Sequence, residues 1–375
     1  MFTPAAMFDG LIFGWRSALL TVVVVQLLAI ATGLARTLAN RAANRALAIL
    51  LVVLAGIVMP WLIGFAGFYD RWRWLTFAPL SITLAVAPLL HFYIRALVTG
   101  RLPAHRWRPL APAIAQASFL TVSFLLPMPA KQRWADVAYD RFETLTAVGT
   151  VIGLAAYGLA DLRLLSRYRR LLANQRSDDQ RFAARWLSRA SAATLLLLPI
   201  WATYALWNWW QPIGYRGLMG LYVAIAAFAL YLAVEGWRHA ALPFPALASL
   251  ALPEAVPTPA RDWKTQGLAW KAEVRAAGWA SDAELTLATL ARRLGTNSGH
   301  LSRAVNEGLG MNFSTFVNRL RCEQVAAAIA AGAGDDLLRL ALEAGFSSKA
   351  SFNRAFRARY DMAPSAYRRH VSKDE

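Results

Sequence analysis

The chain has one cysteine among 375 residues, Cys322. A lone thiol cannot close an internal disulfide and is too few for a structural zinc site of its own, so neither kind of scaffold builds this fold. Its setting, RLRCEQVAAAI, suits a sulfur packed on an amphipathic helix. Charge is also scarce, at 17% of residues, and the acids number 22 against 40 bases. The sequence contains no HExxH, no metal-spaced cluster of His and Cys, no GxSxG and no phosphate-binding glycine loop. It therefore offers no support for an enzyme, a bound metal or a cofactor. Kinase signatures are missing too, which argues against phosphoryl relay as a means of passing a signal. The first basic residue is Arg16 and the apolar run beyond it reaches residue 35, without the basic flank and small-residue cleavage site of a removable signal peptide. That run is expected to be a retained span.

What the chain has in abundance is apolar sequence. Hydrophobic residues make up 57%, above the 45–50% of ordinary globular domains. A bilayer core of about 30 Å needs roughly 20 apolar residues of helix, and seven stretches qualify. They lie near residues 17–35, 46–66, 75–98, 110–127, 144–165, 190–208 and 213–234. The fourth carries Pro112, Gln116 and Pro127 and is the least apolar. The connections alternate in basic content, as cytoplasmic and outer loops should. Arg36, Arg41 and Arg45 follow the first span, and Arg95, Arg101, Arg106 and Arg108 follow the third. Eight arginines from Arg163 to Arg189 follow the fifth. The other loops are poorer: Arg71 and Arg73 beside Asp70, then Lys131, Arg133 and Arg141 offset by Asp136, Asp140 and Glu143, then Arg216 alone. This pattern puts the N-terminus outside and everything after residue 235 in the cytoplasm. Trp72, Trp74, Trp207, Trp209 and Trp210 fall at outer boundaries, and Trp107, Trp186 and Trp237 at inner ones. They read as an aromatic belt or as the lining of an outward-facing pocket.

Polar groups within the spans are few: Gln26 and His91, with Asp161 and Glu235 near inner ends. Such residues are functional candidates in a membrane, so Gln26 and His91 are possible contacts for an unknown signal ligand. His91 reads equally as an interhelical hydrogen-bond partner. Gly149 and Gly153 allow two helices to approach closely, as a packing or a dimer face.

From 239 to 262 the prolines at 243, 245, 253, 257 and 259 forbid a continuous helix and favour an extended spacer. Beyond it the periodicity is helical. Residues 261–375 carry 17 bases against 12 acids, whereas residues 1–260 carry 23 against 10. Most of the basic excess thus belongs to the apolar part, and nucleic-acid binding has to be argued from pattern. Two units share one. Ala291 and Ala341 each stand four residues before a glycine, Gly295 and Gly345, as a close helix contact and a tight turn require. Downstream, Leu301 and Val305, then Phe352 and Phe356, recur at i, i+4 and seat a second helix on a core. The remaining faces present His300, Ser302, Arg303 and Asn306 in one unit, and Lys349, Ser351, Asn353, Arg354 and Arg357 in the other. These side chains can donate to guanine, pair with adenine or grip phosphate. Between the units, residues 313–331 read as one amphipathic helix, able to hold two readers about 34 Å apart, the spacing of successive major-groove faces.

The segments LTLATLARRLGTNSGHLSRAVNEGLGMNFSTFVNRLRCEQVAAAI and LALEAGFSSKASFNRAFRARYDMAPSAYRR resemble the C-terminal DNA-binding domain of the AraC (arabinose-regulator) family of bacterial transcription regulators. The resemblance covers about residues 285–370. Gly345, Phe346, Ser351, Phe352, Arg354, Phe356, Pro364, Tyr367 and Arg368 meet the family's second-unit signature. Asp361 stands where the family usually has Gly, and Ala363 where it usually has Thr. The resemblance implies two helix-turn-helix motifs in one monomer, with the helices of Leu301 and Phe352 entering neighbouring major grooves. Asn312 and Phe313 look like the branch of the family fused to a multi-span membrane segment. The expected fold is all-α: a seven-helix transmembrane bundle over 1–238, a linker over 239–262, and a cytoplasmic DNA-binding domain over 263–375. Within that domain the first helix-turn-helix falls near 286–309, the linking helix near 313–331 and the second motif near 336–360. Arg354 and Asn353, with Arg303 and His300, are expected at bases, and Arg357 at phosphate. Expected partners are double-stranded DNA, the lipid bilayer of a bacterial inner membrane, RNA polymerase, a second copy of the chain and an unknown signal ligand. A reading from another class stays open: a membrane receptor or transporter whose helical tail docks a protein.

Overall fold

The structure is a computed structural model that describes residues 11–182, 184–211, 217–250, 262–332 and 336–374. Among these residues the regular elements are all helical, and strand-like pairing is limited to an isolated antiparallel bridge between Arg176 and Thr286. The chain divides into two compact units, Met1–Leu165 with Arg185–Phe244, and Ser166–Ala184 with Pro245–Glu375.

The first unit is built from α1 (Trp15–Arg36), α2 (Arg41–Phe65), α3 (Val86–Thr99), α4 (Trp107–Leu125), most of α5 (Met128–Gln175), α6 (Arg185–Trp210) and α7 (Met219–Arg238). On α1 the residues Leu20, Val23, Leu27, Ala31 and Leu34 recur at helical spacing and are buried. They pack on α2 and α7. The opposite face is apolar as well, with Val22, Val25 and Leu28 exposed. Exposed Leu145, Val148 and Ile152 on α5 repeat the pattern. Helices apolar all round belong in lipid or in the core of a larger body. Four helical segments among the described residues are long and apolar enough to cross a membrane: Trp15–Arg36, Arg41–Phe65, Arg141–Gln175 and Met219–Arg238. The apolar helix Thr83–Thr99 is shorter. Arg216 and the prolines at 253, 257 and 259 lie outside the described residues, as does the side chain of Trp209.

The third apolar stretch does not start its helix at 75. Phe77 has φ +65° and Pro79 follows, so regular helix resumes only at Thr83. The broken segment crosses α2 at Gly56, where an added Cβ would collide with the Leu80 carbonyl oxygen. Its exposed backbone groups are closed by Gln116 of α4. The Leu84 N–H donates to Gln116 Oε1 at 3.0 Å, and Gln116 Nε2 donates to Ser81 O and Thr83 Oγ1, each at 3.3 Å. The residue that lowers the hydropathy of α4 thus satisfies the backbone groups that the kink leaves open. Gly149 and Gly153 face Leu84 and Ala87. That pair serves packing inside this unit.

The second unit contains α8 (Trp263–Ala276), α9 (Leu287–Arg293), α10 (Ser298–Arg303, widened by a π turn over Ala304–Gly308), α11 (Phe313–Ala330), α12 (Leu337–Glu343), α13 (Lys349–Tyr360) and α14 (Pro364–Asp374). Polar side chains cap the starts: Asp262 for α8, Thr286 for α9, Asn297 for α10, Asn312 for α11, Asp336 for α12 and Ser348 for α13. Two cores form. In one, Trp270 and Val274 of α8 join Leu287, Leu290, Ala291, Leu301, Val305, Phe313, Phe316 and Leu320. In the other, Cys322, Val325, Ala326 and Ile329 meet Leu340, Ala341, Phe346, Phe352 and Phe356. The first half of α11 lies in one core and the second half in the other.

The Ala-xxx-Gly repeat has a common physical basis. Gly295 and Gly345 both take positive φ, and the amide three residues beyond each helix end turns back to the alanine. The Thr296 N–H donates to Ala291 O at 2.9 Å, and the Phe346 N–H to Ala341 O at 3.0 Å. This is the Schellman end, and it needs glycine at the left-handed position. At the end of α13 the left-handed residue is Asp361, φ +56°. Asp accepts that conformation better than most residues. Ala363, by contrast, leaves the start of α14 without a side-chain cap. Replacing Ala363→Thr is expected to stabilise α14 by about 1 kcal/mol. Amide exchange of α14 in the full chain should slow by roughly fivefold.

Candidate nucleic-acid interface

On α13 the buried stripe is Phe352 and Phe356, and the arc opposite holds exposed Arg354 and Arg357, with half-buried Asn353 and Ser351 on its flanks. Lys349 is exposed in the first turn. The Ser348 cap accepts the Ser351 N–H at 3.2 Å, and Ser351 Oγ donates to Ser348 O at 2.8 Å, which fixes the start of the helix. Five of the expected residues therefore lie on one helix, and Lys349, Asn353, Arg354 and Arg357 share its solvent side.

The first motif is arranged differently. His300 and Arg303 flank Trp263 of α8, whose ring lies 5.5 Å from the imidazole and 6.0 Å from the guanidinium carbon. Arg303 Nε is 3.9 Å from Glu307 Oε1. Ser302 is buried, and its hydroxyl accepts a 3.0 Å hydrogen bond from the Asn306 side-chain amide. It orients Asn306 and does not itself reach the surface. The α8 helix approaches closely because residue 308 is glycine: a Cβ there would collide with the Trp263 backbone. Trp263 is thus a component of this face that local periodicity does not reveal.

Two residues of α11 bind the modules together. Glu323 pairs with Lys271 at 3.3 Å, with Arg275, and with Arg359 at 3.5 Å, linking α8, α11 and α13. Burial would raise its carboxyl, but the hydrogen bonds and charges from Arg275 and Lys271 hold it below the usual carboxylate range. Arg321 is 1% exposed and donates to Ala280 O and Asp282 O, each at 2.7 Å, to Asn318 Oδ1 at 3.3 Å and to Ser177 Oγ at 3.1 Å. Burial lowers its pKa to about 10, which leaves it charged at neutral pH. Burial also pushes the Cys322 thiol up to about 12, so the sulfur is a packed, protonated group.

The two polar candidates of the apolar stretches, Gln26 and His91, lie in the first unit. Gln26 is exposed on α1. His91 of α3 meets Asp161 of α5 across 2.6 Å, beside the Tyr157 ring. Asp161 is buried, and its second carboxylate oxygen finds no partner among the described residues. Among those residues no group of His, Cys, Asp and Glu is placed to hold a metal ion.

This geometry, two helix pairs on a shared helix with a basic, polar face on the second helix of each, is that of a helix-turn-helix domain. Residues 290–370 match the helix-turn-helix domain family. An uncharacterized HTH-type transcriptional regulator of Staphylococcus aureus strain MSSA476 is 34% identical over 85 residues, which are 23% of this chain and 11% of that protein. Its counterparts in strains N315 and COL show the same identity over the same length. The chain spans about a tenth of the length of these relatives. No solved structure matches the chain.

The depressed carboxyl of Glu323 supplies stability that is present above the ordinary carboxylate pKa and is lost as pH falls through its folded-state value. Glu323→Gln is expected to cost about 1 kcal/mol at neutral pH, the range of an exposed-edge ion-pair network. Amide exchange across α11 should show that cost at pH 7 and show it shrink as pH falls below the ordinary carboxylate range and through the lowered folded-state value of Glu323.

Proposed function

We propose that this chain is a membrane-anchored transcription regulator of the one-component kind, whose second unit reads double-stranded DNA in the cytoplasm. The observation that carries the reading is the pair of helix-turn-helix modules that share α11, each with a polar and basic outer face. The match of residues 290–370 to the helix-turn-helix domain family supports it, as does the 34% identity over 85 residues to an HTH-type transcriptional regulator.

On this reading α10 and α13 enter adjacent major grooves. Arg354 and Asn353 address base edges, because their side chains can form paired hydrogen bonds to guanine and adenine. Arg357 and Lys349 meet phosphates, and His300 and Arg303 approach bases from the support of Trp263. The first unit holds this reader at a bacterial inner membrane as a seven-span bundle with its N-terminus outside. The apolar outer faces of its helices and the arginines gathered in alternate loops support that orientation. Signal enters through the spans, with His91 and its partner Asp161 as the polar contact on offer, and two copies associate on DNA alongside RNA polymerase.

Genome-wide occupancy of the intact protein in its own cell tests the proposal. Discrete sites should appear and should vanish in the Asn353→Ala, Arg354→Ala double variant, since each lost bidentate contact is worth about 1–3 kcal/mol. Occupancy that the double variant leaves unchanged would favour a protein-docking tail. Arg357→Ala should weaken binding at all sites alike and reduce the slope of log affinity against log salt by about one.

A further inference from the structure

The segment that joins α5 to α6 belongs with the second unit, and its residues 176–182 form a strap on the reader. Its backbone pairs with the start of the first motif: Arg176 bridges Thr286, and the Ser177 N–H donates to Leu285 O at 3.1 Å. Ser177 Oγ donates to the same carbonyl at 2.8 Å and accepts from Arg321. Asp179 Oδ1 accepts from Ser314 Oγ at 2.8 Å, in the first turn of α11. Ser177, Asp178 and Asp179 are 3%, 5% and 8% exposed, so two carboxylates are buried against a domain that reads a polyanion. Between Asp161 and Glu235 the sequence has no other acids, and these two are set among the eight arginines from Arg163 to Arg189.

Burying carboxylates is costly unless partners meet them. Arg176 holds Asp178 through two hydrogen bonds, at 2.7 and 3.0 Å. Asp179 takes the amino end of α11, where backbone N–H groups and the helix dipole favour an anion. Beside this contact lies a cavity of about 270 Å³, walled by Asp178 and Asp179 on the strap and by Ser351 and Arg354 of α13. On the reading that α13 enters a major groove, phosphates bordering that groove would lie near Arg354, and the two carboxylates would face them at close range.

We propose that the strap is an autoinhibitory latch: Asp178 and Asp179 occupy the place of backbone phosphates between the two modules, so that strap and DNA compete for one surface. The proposal rests on the DNA-reading function above. Because the strap is covalently continuous with α5 and α6, a change in those helices is the means of its release.

The test uses the full chain in lipid nanodiscs, with sheared genomic DNA of the host cell as the probe and sequencing of the retained fragments as the readout. Asp178→Asn with Asp179→Asn should raise retention of specific fragments roughly tenfold, a gain that misfolding cannot mimic. A charge-matched control, Glu273→Gln with Glu343→Gln, should change retention less than about threefold, the share owed to net charge alone. Asp179→Cys with Ser314→Cys should abolish retention when oxidised and restore it when reduced; Cys322 is buried and will not compete. If the wild type retains fragments that Arg354→Ala loses, while the opened and locked strap variants match the wild type, the latch is overturned and DNA reading stands. If neither the wild type nor the opened variant retains discrete fragments, DNA reading itself is overturned and the latch with it.

Discussion

The second unit depends on a single constraint: two hydrophobic cores are cut from opposite halves of one eighteen-residue helix, α11. Phe313, Phe316, Val317 and Leu320 close the first core, and Cys322, Val325, Ala326 and Ile329 the second. Neither module can rotate without repacking side chains that the other module's helix carries. The polar ties lie on the same helix. Glu323 gathers cations from α8 and α13, and Arg321 ties the loop before α9 through the carbonyls of Ala280 and Asp282. A rigid α11 is also what a two-groove reader needs, since the separation of its recognition helices has to match the pitch of the duplex.

The first unit shows a complementary economy in its polar residues. Its helices carry apolar side chains on outward faces as well as inward ones, and two of its polar side chains are committed within the unit. Gln116 closes the kink before α3, and His91 meets Asp161. The loop between α5 and α6 departs from that economy. Its serine and Asp179 are committed to α11 of the second unit.

Much of the reader is legible locally. The Schellman ends need a small residue and a glycine at fixed spacing, and the caps need Asn, Asp, Ser or Thr, so Ala291, Gly295, Ala341, Gly345, Asn297 and Ser348 can be read directly off the chain. The exposed arc of α13 follows from the Phe352 and Phe356 stripe by simple rotation. The other face is less legible because non-local packing shapes it. Trp263 reaches α10 across a separation of about forty residues, and Ser302, polar and adjacent to Arg303, turns inward to hold Asn306. In the apolar unit, composition locates the helices but not the late start of α3, which the positive φ of Phe77 and the following Pro79 impose. The strap is the least legible feature. Its hydrogen bonds join residues more than a hundred positions apart, and the pair of acids in an arginine-rich loop is their only trace in the sequence.

The measurement that bears most directly on the account is a hydroxyl-radical footprint of the intact protein on a site it occupies in the cell. A reader fixed by α11 predicts two protected patches per bound monomer on one face of the duplex, about one helical turn or 10–10.5 base pairs apart. A single protected patch, or two whose spacing varies from site to site, would contradict it.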